Sequence, residues 1–391
     1  MSSRPGPQTL KIALIAAVAG FVGFVSLDSF LPIPAVLPQL KGAVTPPPAP
    51  VWSWSTLRSG GLAGSIGTWF EANVGLRSFW VRLDNQINYS LFGELTKRGD
   101  GSRLINGPHD WFFEAQYLDY AITRGAMSEQ DQRKMITRLR RVQDKLAKRG
   151  IPLLLVIAPS KVEVYPEHIP AKLFAGRSPE QTKTNYENAR ELLRESGINL
   201  VDGPALYRRW KQEGARDLFA RSGTHWSYQS AIRVWDEIRG QLNPRMRRQI
   251  PDFQIPETAR ARPTGNDRDL LDLANLLIPQ PYEHDLPKPA PLAQHDVTVE
   301  KLPRLLWVHD SFGWVLIELL YQANAAQPSE SLYYFATCMR IPGGTPTATD
   351  LKKINWPDYL KSYDAVVLVW TEIAYEFDSC GFIEALDNAL D

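Results

Sequence analysis

Residues 153–159 read LLLVIAP, six consecutive apolar residues that end at a proline. A run this short and this uniformly apolar is typical of a strand that is buried on both faces, as in a parallel sheet. The preceding segment predicts a helix, because Ser128 can cap its first turn and apolar residues recur at three- and four-residue spacing as far as Leu146, before Gly150. A helix followed by a doubly buried strand is a building unit of α/β folds.

This unit recurs along the rest of the chain. Further helices are predicted over about residues 181–195, 228–242 and 313–325, and further strands over 198–201, 305–308, 331–335 and 366–370. The alternation predicts an α/β fold with a mostly parallel sheet and helices on both faces. Residues 243–300 are irregular and rich in Pro and Arg, and we interpret them as an insertion that crosses the surface of the same domain.

The composition is that of an ordinary folded protein. Of the 391 residues, 44% are hydrophobic and 22% charged, which argues against a disordered chain, a coiled coil and a multi-span membrane protein. With 44 basic and 43 acidic residues the formal net charge is +1, so no global charge favours nucleic acid as a partner. Aromatic residues make up 10% of the chain; their faces suit sugar rings, although most aromatic side chains are simply buried.

Cysteine and histidine spacing predicts no metal site. The two cysteines, Cys338 and Cys380, form no Cys-x-x-Cys pair, and the six histidines form no His-x-x-x-His pair. The two thiols could form a disulfide in an oxidising compartment or stay separate, and the sequence leaves both possibilities open. No phosphate-cradling glycine loop or nucleotide signature is present, so we expect no cofactor.

The N-terminus predicts export of the chain. Arg4 and Lys11 precede an uncharged apolar run over residues 12–27, a layout that signal peptides and signal-anchors share. The sequence DSFLP, from Asp28 onward, fits a cleavage site poorly, which favours an uncleaved signal-anchor over a cleaved signal peptide. Positive charge ahead of the run places the N-terminus in the cytoplasm and the rest of the chain outside it.

The expected organisation has three parts: a cytoplasmic stub with the signal-anchor helix (residues 1–31), a linker (32–60) and an α/β domain (61–391). The run PPPAP at 46–50 and three earlier prolines favour an extended, semi-rigid linker. Such a linker would hold the domain away from the membrane surface.

Functional groups in open parallel sheets lie beyond the carboxyl ends of the strands, and this rule singles out HDSFG at 309–313. Ser311 can present its hydroxyl there, with its own N–H directed at a developing oxyanion. The best general base is His225, in the loop RSGTHWS ahead of a helix, because His309 is too close in sequence to be well aimed. Each residue alone also fits a structural role: Ser311 in a helix-capping turn and His225 as a buried histidine near a helix start.

Seven further segments form an ordered set: NVGLRSF (73–79), NGPHDWFF (106–113), IAPSK (157–161), YPE (165–167) with Pro170, GTHW (223–226), DSF (310–312) and VWTE (369–372). Taken in order, they resemble segments of the alginate O-acetyltransferase family, whose members modify exported polysaccharides. The resemblance covers about residues 65–390. It implies an SGNH-hydrolase-like domain, which is a flavodoxin-like α/β fold.

The resemblance implies an O-acetyltransferase that acts on an exported polysaccharide through a Ser acyl-enzyme, with Ser311 as nucleophile and His225 as general base. It further implies a membrane-bound O-acyltransferase as partner and acetyl donor route. The implied location is the periplasm, with the N-terminal helix anchored in the bacterial inner membrane. Aromatic side chains could stack sugar rings beside such a site, and we expect Trp226 first and Trp111 second in that role.

The chain departs from the family at one position of the site. The family carries an Asp two residues before the His, and this chain has Gly223 there. Three interpretations stay open: a Ser–His dyad without a direct carboxylate, which we rank first; a carboxylate from elsewhere; or a catalytically degenerate polysaccharide-binding or scaffolding component of an acetylation complex. The candidate supporting acids are Asp217, Asp310 and Glu372. A deacetylating esterase is a lesser alternative.

Overall fold

The computed structural model describes residues 7–30, 37–42, 47–95, 103–123, 127–173, 184–254, 258–279, 282–287, 292–350, 353–373 and 380–390. The chain divides into two compact units, Met1–Leu104 with Leu271–Pro279, and Ile105–Leu270 with Gln280–Asp391. The domain of residues 61–391 stays a prediction, and the boundary between the two units lies further along the chain than residue 61.

Four helices are described in the first unit: α1 (Pro7–Phe30), α2 (Trp54–Arg58), α3 (Gly61–Asn73) and α4 (Arg77–Phe92). α1 contains the predicted apolar run, and its window Lys11–Asp28 is long and apolar enough to cross a bilayer, a test that a signal sequence also passes. The Asp28 carboxylate accepts a hydrogen bond of 2.7 Å from the Leu76 N–H. In the predicted linker, residues 37–42 and 47–50 are neither helix nor strand, and the rest of 31–46 lies outside the described residues.

The strands in chain order are β1 (Leu104–Gly107), β2 (Trp111–Glu114), β3 (Leu153–Ala158), β4 (Leu200–Asp202), β5 (Phe253–Gln254), β6 (Thr258–Ala261), β7 (His284–Pro287), β8 (Leu292–Ala293), β9 (Leu305–His309), β10 (Ser329–Tyr333), β11 (Thr337–Ile341), β12 (Thr347–Ala348) and β13 (Ala365–Thr371). The helices that follow α4 are α5 (Ala115–Thr123), α6 (Glu129–Ala147), α7 (Lys161–Val164), α8 (Asn185–Glu195), α9 (Gly203–Gln212), α10 (Tyr228–Leu242), α11 (Asp269–Leu273), α12 (Gly313–Gln322), α13 (Trp356–Leu360) and α14 (Phe382–Ala389).

Seven of these strands form one sheet, in the order β12-β11-β10-β9-β13-β3-β4. The five strands from β10 to β4 are parallel, and β11 and β12 are added antiparallel at one edge. β9, β13 and β3 lie side by side, so their carboxyl ends meet at the same edge. The predicted mostly parallel sheet is confirmed.

Alternating side chains explain why the central strands read as uninterrupted apolar runs. In β3, Leu154 and Val156 pack into one hydrophobic core, and Leu153 and Leu155 pack into a second core on the opposite face. Helices cover both cores, with α10 and α12 on the first side and α6 and α8 on the second. Because neither face meets water, no position of the strand favours a polar residue.

The predicted elements agree closely with the observed ones. α6 begins after Ser128, whose hydroxyl accepts a hydrogen bond from the Asp131 N–H, as its cap signal predicts. β3 and α10 have the predicted bounds, whereas β10 begins and ends two residues earlier than predicted. The helix α9 is absent from the prediction, because its buried aromatic residues, Tyr207 and Trp210, make too sparse a pattern to indicate a helix.

Residues 243–300 contain two short antiparallel strand pairs, β5 with β8 and β6 with β7, and the helix α11. The segment belongs to the second unit except for Leu271–Pro279, which groups with the first.

Both cysteines are free: Cys338 is half-buried in β11 and Cys380 is exposed.

Candidate active site

Ser311 lies half-buried in the turn between β9 and α12, at the carboxyl edge of the sheet. The adjacent His309 is buried, with Nε2 2.6 Å from the Ser331 hydroxyl and Nδ1 2.6 Å from the Asp310 carbonyl oxygen. A Cβ at Gly313 would lie 2.5 Å from the His309 ring, so only glycine lets α12 begin this close to β9. Burial lowers the pKa of His309 to about 4, and its two nitrogens contact the Asp310 carbonyl oxygen and Ser331 of β10.

Asp310 fastens the Ser311 turn to the neighbouring strand β13. One carboxylate oxygen accepts a hydrogen bond of 2.9 Å from the Phe312 N–H, and the other accepts from the N–H and the hydroxyl of Thr371 at 2.7 and 2.9 Å. Burial raises the pKa of Asp310, although these hydrogen bonds lower it. The contacts of this carboxylate therefore set the position of the Ser311 turn.

His225 lies in the loop ahead of α10, and its ring is held by a carboxylate that the sequence does not single out. Nδ1 lies 2.7 Å from Oδ2 of Asp269, the first residue of α11. The other oxygen of the same carboxylate, Oδ1, accepts a hydrogen bond of 2.7 Å from the Thr224 N–H. Asp269 thus contacts both the imidazole and the backbone that carries it, an arrangement suited to orienting a general base.

The His225 ring is buried and its charged form is favoured. Burial lowers the pKa of His225, but the charge and the hydrogen bond of Asp269, together with the charges of Asp310 and Glu114, raise it, so that the net pKa is raised. In the neutral ring Nδ1 carries the hydrogen, because a carboxylate oxygen accepts, and Nε2 carries the lone pair; Nε2 has no hydrogen-bond partner among the described groups. The ring of Phe312 lies 4.8 Å from the His225 ring, centre to centre, so the base and the Ser311 turn meet.

Further hydrogen bonds join the His225 loop to the segment that carries Asp269. The Ser222 hydroxyl donates to the Asp267 carbonyl oxygen at 3.1 Å, and the Leu270 N–H donates to the Ser222 carbonyl oxygen at 3.0 Å. These bonds lie on both sides of Asp269 in sequence. They hold its carboxylate opposite the imidazole.

Gly223 lets these two segments approach each other. A Cβ at this position would lie 2.7 Å from the Asn266 carbonyl oxygen and 3.1 Å from the Cα atom of Asp267. The place where the related family carries an Asp is therefore filled by neighbouring backbone, and Asp269 of that same segment supplies the carboxylate. An Asp side chain at position 223 requires this backbone to move.

The buried Lys161 also anchors the His225 loop. Its Nζ donates to the carbonyl oxygens of Phe112, Arg221 and Gly223 at 2.7, 2.6 and 2.9 Å. The residue is 4% exposed, and burial lowers its pKa well below the usual range for lysine. Three carbonyl oxygens match the three N–H bonds of an ammonium group, so one side chain joins β2 to the loop that leads to His225.

Two of the predicted supporting acids have other partners. Asp217 lies 3.9 Å from Nη1 of Arg260, and Asp310 holds the Ser311 turn.

The first-ranked prediction, a dyad without a direct carboxylate, is wrong, because Asp269 occupies Nδ1 of His225. The correction has a simple physical reason: the acid comes from a segment remote in sequence that packs against the histidine loop.

The third predicted acid, Glu372, joins the carboxyl ends of β13 and β3. One carboxylate oxygen accepts a hydrogen bond of 2.7 Å from the Ser160 N–H. The residue is 1% exposed; burial, followed by the charge of Glu163, raises its pKa to about 8. Glu372 therefore positions these strand ends, and its carboxylate forms no hydrogen bond with His225 in the described part of the chain.

The two predicted sugar-stacking residues lie in different surroundings. Trp226 is 0% exposed, with the Tyr207 ring stacked at 6.3 Å and the Phe312 ring edge-on at 5.6 Å. A stacking role for Trp226 is wrong, because a ring without exposed surface cannot contact a sugar. Trp111 is half-buried, with the His168 ring stacked on it at 4.1 Å, and its role stays a prediction.

Asp269 is missed at the sequence level because nothing in its local sequence distinguishes it. It lies in GNDRDL, where polar residues ahead of a helix fit an ordinary cap. It follows His225 by 44 residues, so no fixed spacing links the two. The one available signal is Gly223 itself, because glycine permits another backbone to come close.

The site brings the turn that carries Ser311 next to an imidazole whose Nδ1 faces a carboxylate, and Nε2 of that imidazole forms no hydrogen bond with the Ser311 hydroxyl among the described groups. A serine, an imidazole and a carboxylate are the parts of nucleophilic acyl transfer. Within the described ranges, no group of three or more His, Cys, Asp or Glu side chains is arranged to hold a metal ion.

Comparisons with known proteins support acyl transfer as the type of reaction. Residues 104–303, which are 200 of the 391, match the family model described as SGNH hydrolase-like domain, acetyltransferase AlgX. A Pseudomonas aeruginosa protein named "Probable alginate O-acetylase AlgJ" is 26% identical over 255 residues, which cover 64% of this chain and 58% of that protein. An Azotobacter vinelandii protein of the same name is 24% identical over 240 residues, which cover 61% and 57%.

Among solved structures, the O-acetyltransferase domain of Pseudomonas putida AlgJ is similar over 74% of this chain and 99% of that domain, with 18% identity and a TM-score of 0.45. The chain spans 58% and 57% of the lengths of these two relatives.

Proposed function

The chain belongs to the AlgX family of SGNH hydrolase-like acetyltransferase domains, and we propose that it is a polysaccharide O-acetyltransferase that works through an acyl-enzyme on Ser311. This membership confirms the predicted family and the predicted SGNH-hydrolase-like fold. The observation that carries the proposal is the 2.7 Å contact between Nδ1 of His225 and Asp269. It gives the base an orienting carboxylate although the family's own position holds Gly223.

In the first half-reaction, Nε2 of His225 accepts the Ser311 hydroxyl proton while Oγ attacks the carbonyl carbon of an acyl donor. The carbonyl electrons move onto oxygen, and the Ser311 N–H stabilises the oxyanion. When this intermediate collapses, the bond to the leaving group breaks and the leaving group takes the proton from His225. Asp269 stays ionised and stabilises the imidazolium that forms in between.

In the second half-reaction a sugar hydroxyl attacks. His225 removes its proton, the sugar oxygen bonds to the acyl carbon, and the ester bond to Ser311 breaks as Oγ regains a proton. Water in place of the sugar gives hydrolysis, so an esterase differs only in the acceptor that reaches the site. Because the similar proteins are named alginate O-acetylases, we propose alginate or a similar exported polysaccharide as the acceptor class.

The alternative function is a noncatalytic polysaccharide-binding or scaffolding component. The reason to consider it is Gly223 in place of the family's Asp. The Asp269 carboxylate beside His225 weakens that reason, because the imidazole has an acid partner. We therefore favour the enzyme.

A covalent acyl group on Ser311 is the direct test. We expect the full-length protein, mixed with 4-nitrophenyl acetate and quenched early, to gain the mass of one acetyl group on the peptide that contains Ser311. An alginate oligosaccharide added before the quench should remove the label and become acetylated, because the sugar hydroxyl is the second-step acceptor. Peptide mass spectrometry measures both results.

The control for that experiment is His225→Ala, which should prevent labelling because Ser311 loses its base. An acetyl group found on another residue would refute the assignment of the nucleophile. Wild-type protein that gains no label and still binds the oligosaccharide would support the binding-module alternative instead.

We further propose that the protein works in the periplasm, anchored to the inner membrane by α1. The proposal rests on the apolar window Lys11–Asp28, of which 0% is buried, and on the positive charges of Arg4, before the window, and of Lys11, at its first position. A membrane-bound O-acyltransferase is the proposed partner on the donor side, and this part of the proposal rests on the family resemblance.

The anchor has its own test. We expect the native full-length chain to stay with membranes through alkaline carbonate extraction, because α1 provides an apolar span. Val18→Arg should weaken retention, since a charge near the middle of a span costs about 2.5–3.5 kcal/mol. Release of the unaltered chain, or a mature N-terminus after residue 28, would contradict the anchor.

A further inference from the structure

Arg221 lies on the loop that carries His225, four residues before the imidazole. Its carbonyl oxygen accepts hydrogen bonds from the Phe112 N–H at 2.9 Å and from Nζ of the buried Lys161 at 2.6 Å, which fix its backbone against β2. Four residues of chain span at most about 14 Å, so the Arg221 side chain begins no further than that from the His225 backbone. An oligosaccharide of a few sugar units bridges such a distance.

Two contacts orient the Arg221 side chain. Its Nη1 donates to the His109 carbonyl oxygen at 3.0 Å, in a hydrogen bond that is exposed to solvent. The central carbon of the guanidinium lies 4.3 Å from the centre of the Tyr282 ring. The Tyr282 hydroxyl accepts from the Ser222 N–H at 3.0 Å and lies 2.6 Å from the Ser222 hydroxyl, so this ring is held by the same loop. An arginine oriented in this way loses less conformational entropy when it binds a ligand.

The Arg221 guanidinium forms no ion pair with a carboxylate of the described residues. Arg233 gives the comparison: it also lies over an aromatic ring, Trp210 at 4.1 Å, but its Nη2 is 3.9 Å from the Glu213 carboxylate. A guanidinium has five N–H groups, and the His109 carbonyl oxygen uses one of those of Arg221. Arg221 is half-buried, so a ligand from solvent can reach the others. The loop therefore presents an oriented cation without its own anion.

We propose that Arg221 binds a carboxylate of the acceptor polysaccharide and so selects an acceptor built of uronic acids. The parallel N–H groups of a guanidinium match the two oxygens of a carboxylate, which makes the contact both strong and directional. The ligand is a sugar carboxylate because Arg221 shares a loop with His225, the base that the sugar hydroxyl has to meet. Arg221 is a specificity-determining residue in this role, because it does not contact the reacting atoms.

The inference rests on the proposed function and makes its acceptor class narrower. Alginate is a polymer of uronic acids, so every sugar unit carries a carboxylate. When one unit presents a hydroxyl group to His225, a nearby unit of the same chain can place its carboxylate on Arg221. A neutral polysaccharide lacks this contact and leaves the guanidinium to water.

The test compares two probes that differ only in charge: an alginate tetrasaccharide, and the same tetrasaccharide after its carboxyl groups are reduced to alcohols. We expect the full-length protein in detergent to bind the acidic form about 10- to 100-fold more tightly, the size of one charge-assisted hydrogen-bonded contact. Arg221→Gln should bind the two forms with equal affinity within about threefold. Isothermal titration calorimetry measures both constants, and unfolded protein lowers the stoichiometry without changing their ratio.

Arg233→Gln is the matched control, since Arg233 is stacked on a ring in the same way but has Glu213 as its partner. It should keep the wild-type preference for the acidic tetrasaccharide. Wild-type protein without that preference, Arg221→Gln with the full preference, or an equal loss in Arg233→Gln would each overturn the inference.

The titration requires no acyl transfer, so it separates this inference from the proposed function. If Ser311 gains no acetyl group but the preference depends on Arg221, the acyltransferase proposal fails and Arg221 remains a uronate-binding residue. If Ser311 is acetylated and the preference is absent, the proposed function stands and the role of Arg221 falls.

Discussion

Asp269→Asn is expected to lower kcat for acyl transfer by about 10⁴-fold with KM nearly unchanged, the size of effect known for the orienting carboxylate of a Ser-His-Asp triad. Asparagine has nearly the same shape, and its oxygen can still accept the Thr224 N–H. Its amide nitrogen, however, donates toward Nδ1 of His225. The ring must then carry its hydrogen on Nε2, the atom that has to accept the Ser311 proton. Initial rates of acetyl transfer to an oligosaccharide measure the loss.

The pH profile of the same variant gives a second readout. Burial lowers the pKa of His225, and Asp269, with smaller contributions from Asp310 and Glu114, raises it to a net increase, so the wild-type base is lost as the pH falls through this raised pKa. Without the carboxylate the pKa of His225 falls, and the acid limb of kcat/KM should move to lower pH. If the role of Asp269 were only structural, the variant would have a lower kcat but the acid limb of its kcat/KM profile would stay at the wild-type pH.

Two further variants test whether Asp269 is the carboxylate that His225 requires. Asp217→Asn removes a carboxylate that lies 3.9 Å from Arg260 and should keep kcat within about twofold. Gly223→Asp should not rescue Asp269→Asn, because its Cβ would lie 2.7 Å from the Asn266 carbonyl oxygen. Asp269→Asn with more than roughly a tenth of the wild-type kcat, or rescue by Gly223→Asp, would contradict the role of Asp269.

Lys161→Met is expected to lower the free energy of unfolding by at least about 1–3 kcal/mol, the cost of leaving a buried acceptor without its donor. Methionine has a similar length, but the carbonyl oxygens of Phe112 and Gly223 lose the Nζ donor, whereas that of Arg221 keeps the Phe112 N–H at 2.9 Å. With Lys161 4% exposed, water has little access to replace that donor. Urea unfolding of the full chain, followed by tryptophan fluorescence, measures the change.

Lys211→Met is the matched control. Its Nζ donates to the Val164 carbonyl oxygen and to the Glu167 carboxylate, both at 2.6 Å, but the side chain is 34% exposed. Water can replace these bonds, so we expect a loss of at most about 1 kcal/mol. If both variants lost the same free energy of unfolding, burial would not explain how much Lys161 contributes to stability.

The central sheet is the part of the fold that was most predictable. LLLVIA between a capped helix and a proline predicts a doubly buried strand, and β3 has those bounds. The antiparallel strand β11 was not predicted, because most of its residues are only partly buried and its sequence TCMRI mixes polar and apolar side chains. A strand next to the edge of the sheet, with partly exposed residues, lacks the continuous apolar signal of the central strands.

The predicted sugar-stacking role of Trp226 is wrong for a local geometric reason. Trp226 follows His225 directly, and the pair was expected to face one cleft. Trp226 pairs with Phe219 in an isolated β-bridge, where successive side chains point to opposite sides. Because the imidazole faces Asp269, the indole enters the core.

The sequence by itself determined the class of fold and indicated two residues of the proposed site, because both depend on local signals. Strand burial, helix caps and the rule that function lies at strand ends led to Ser311 and His225. Only the tertiary structure decided which acid meets the imidazole. The contacts of Gly223 with Asn266 and of His225 with Asp269 are short in space but join segments about 44 residues apart. No periodicity or spacing encodes such a contact, since it depends on the path of the intervening backbone.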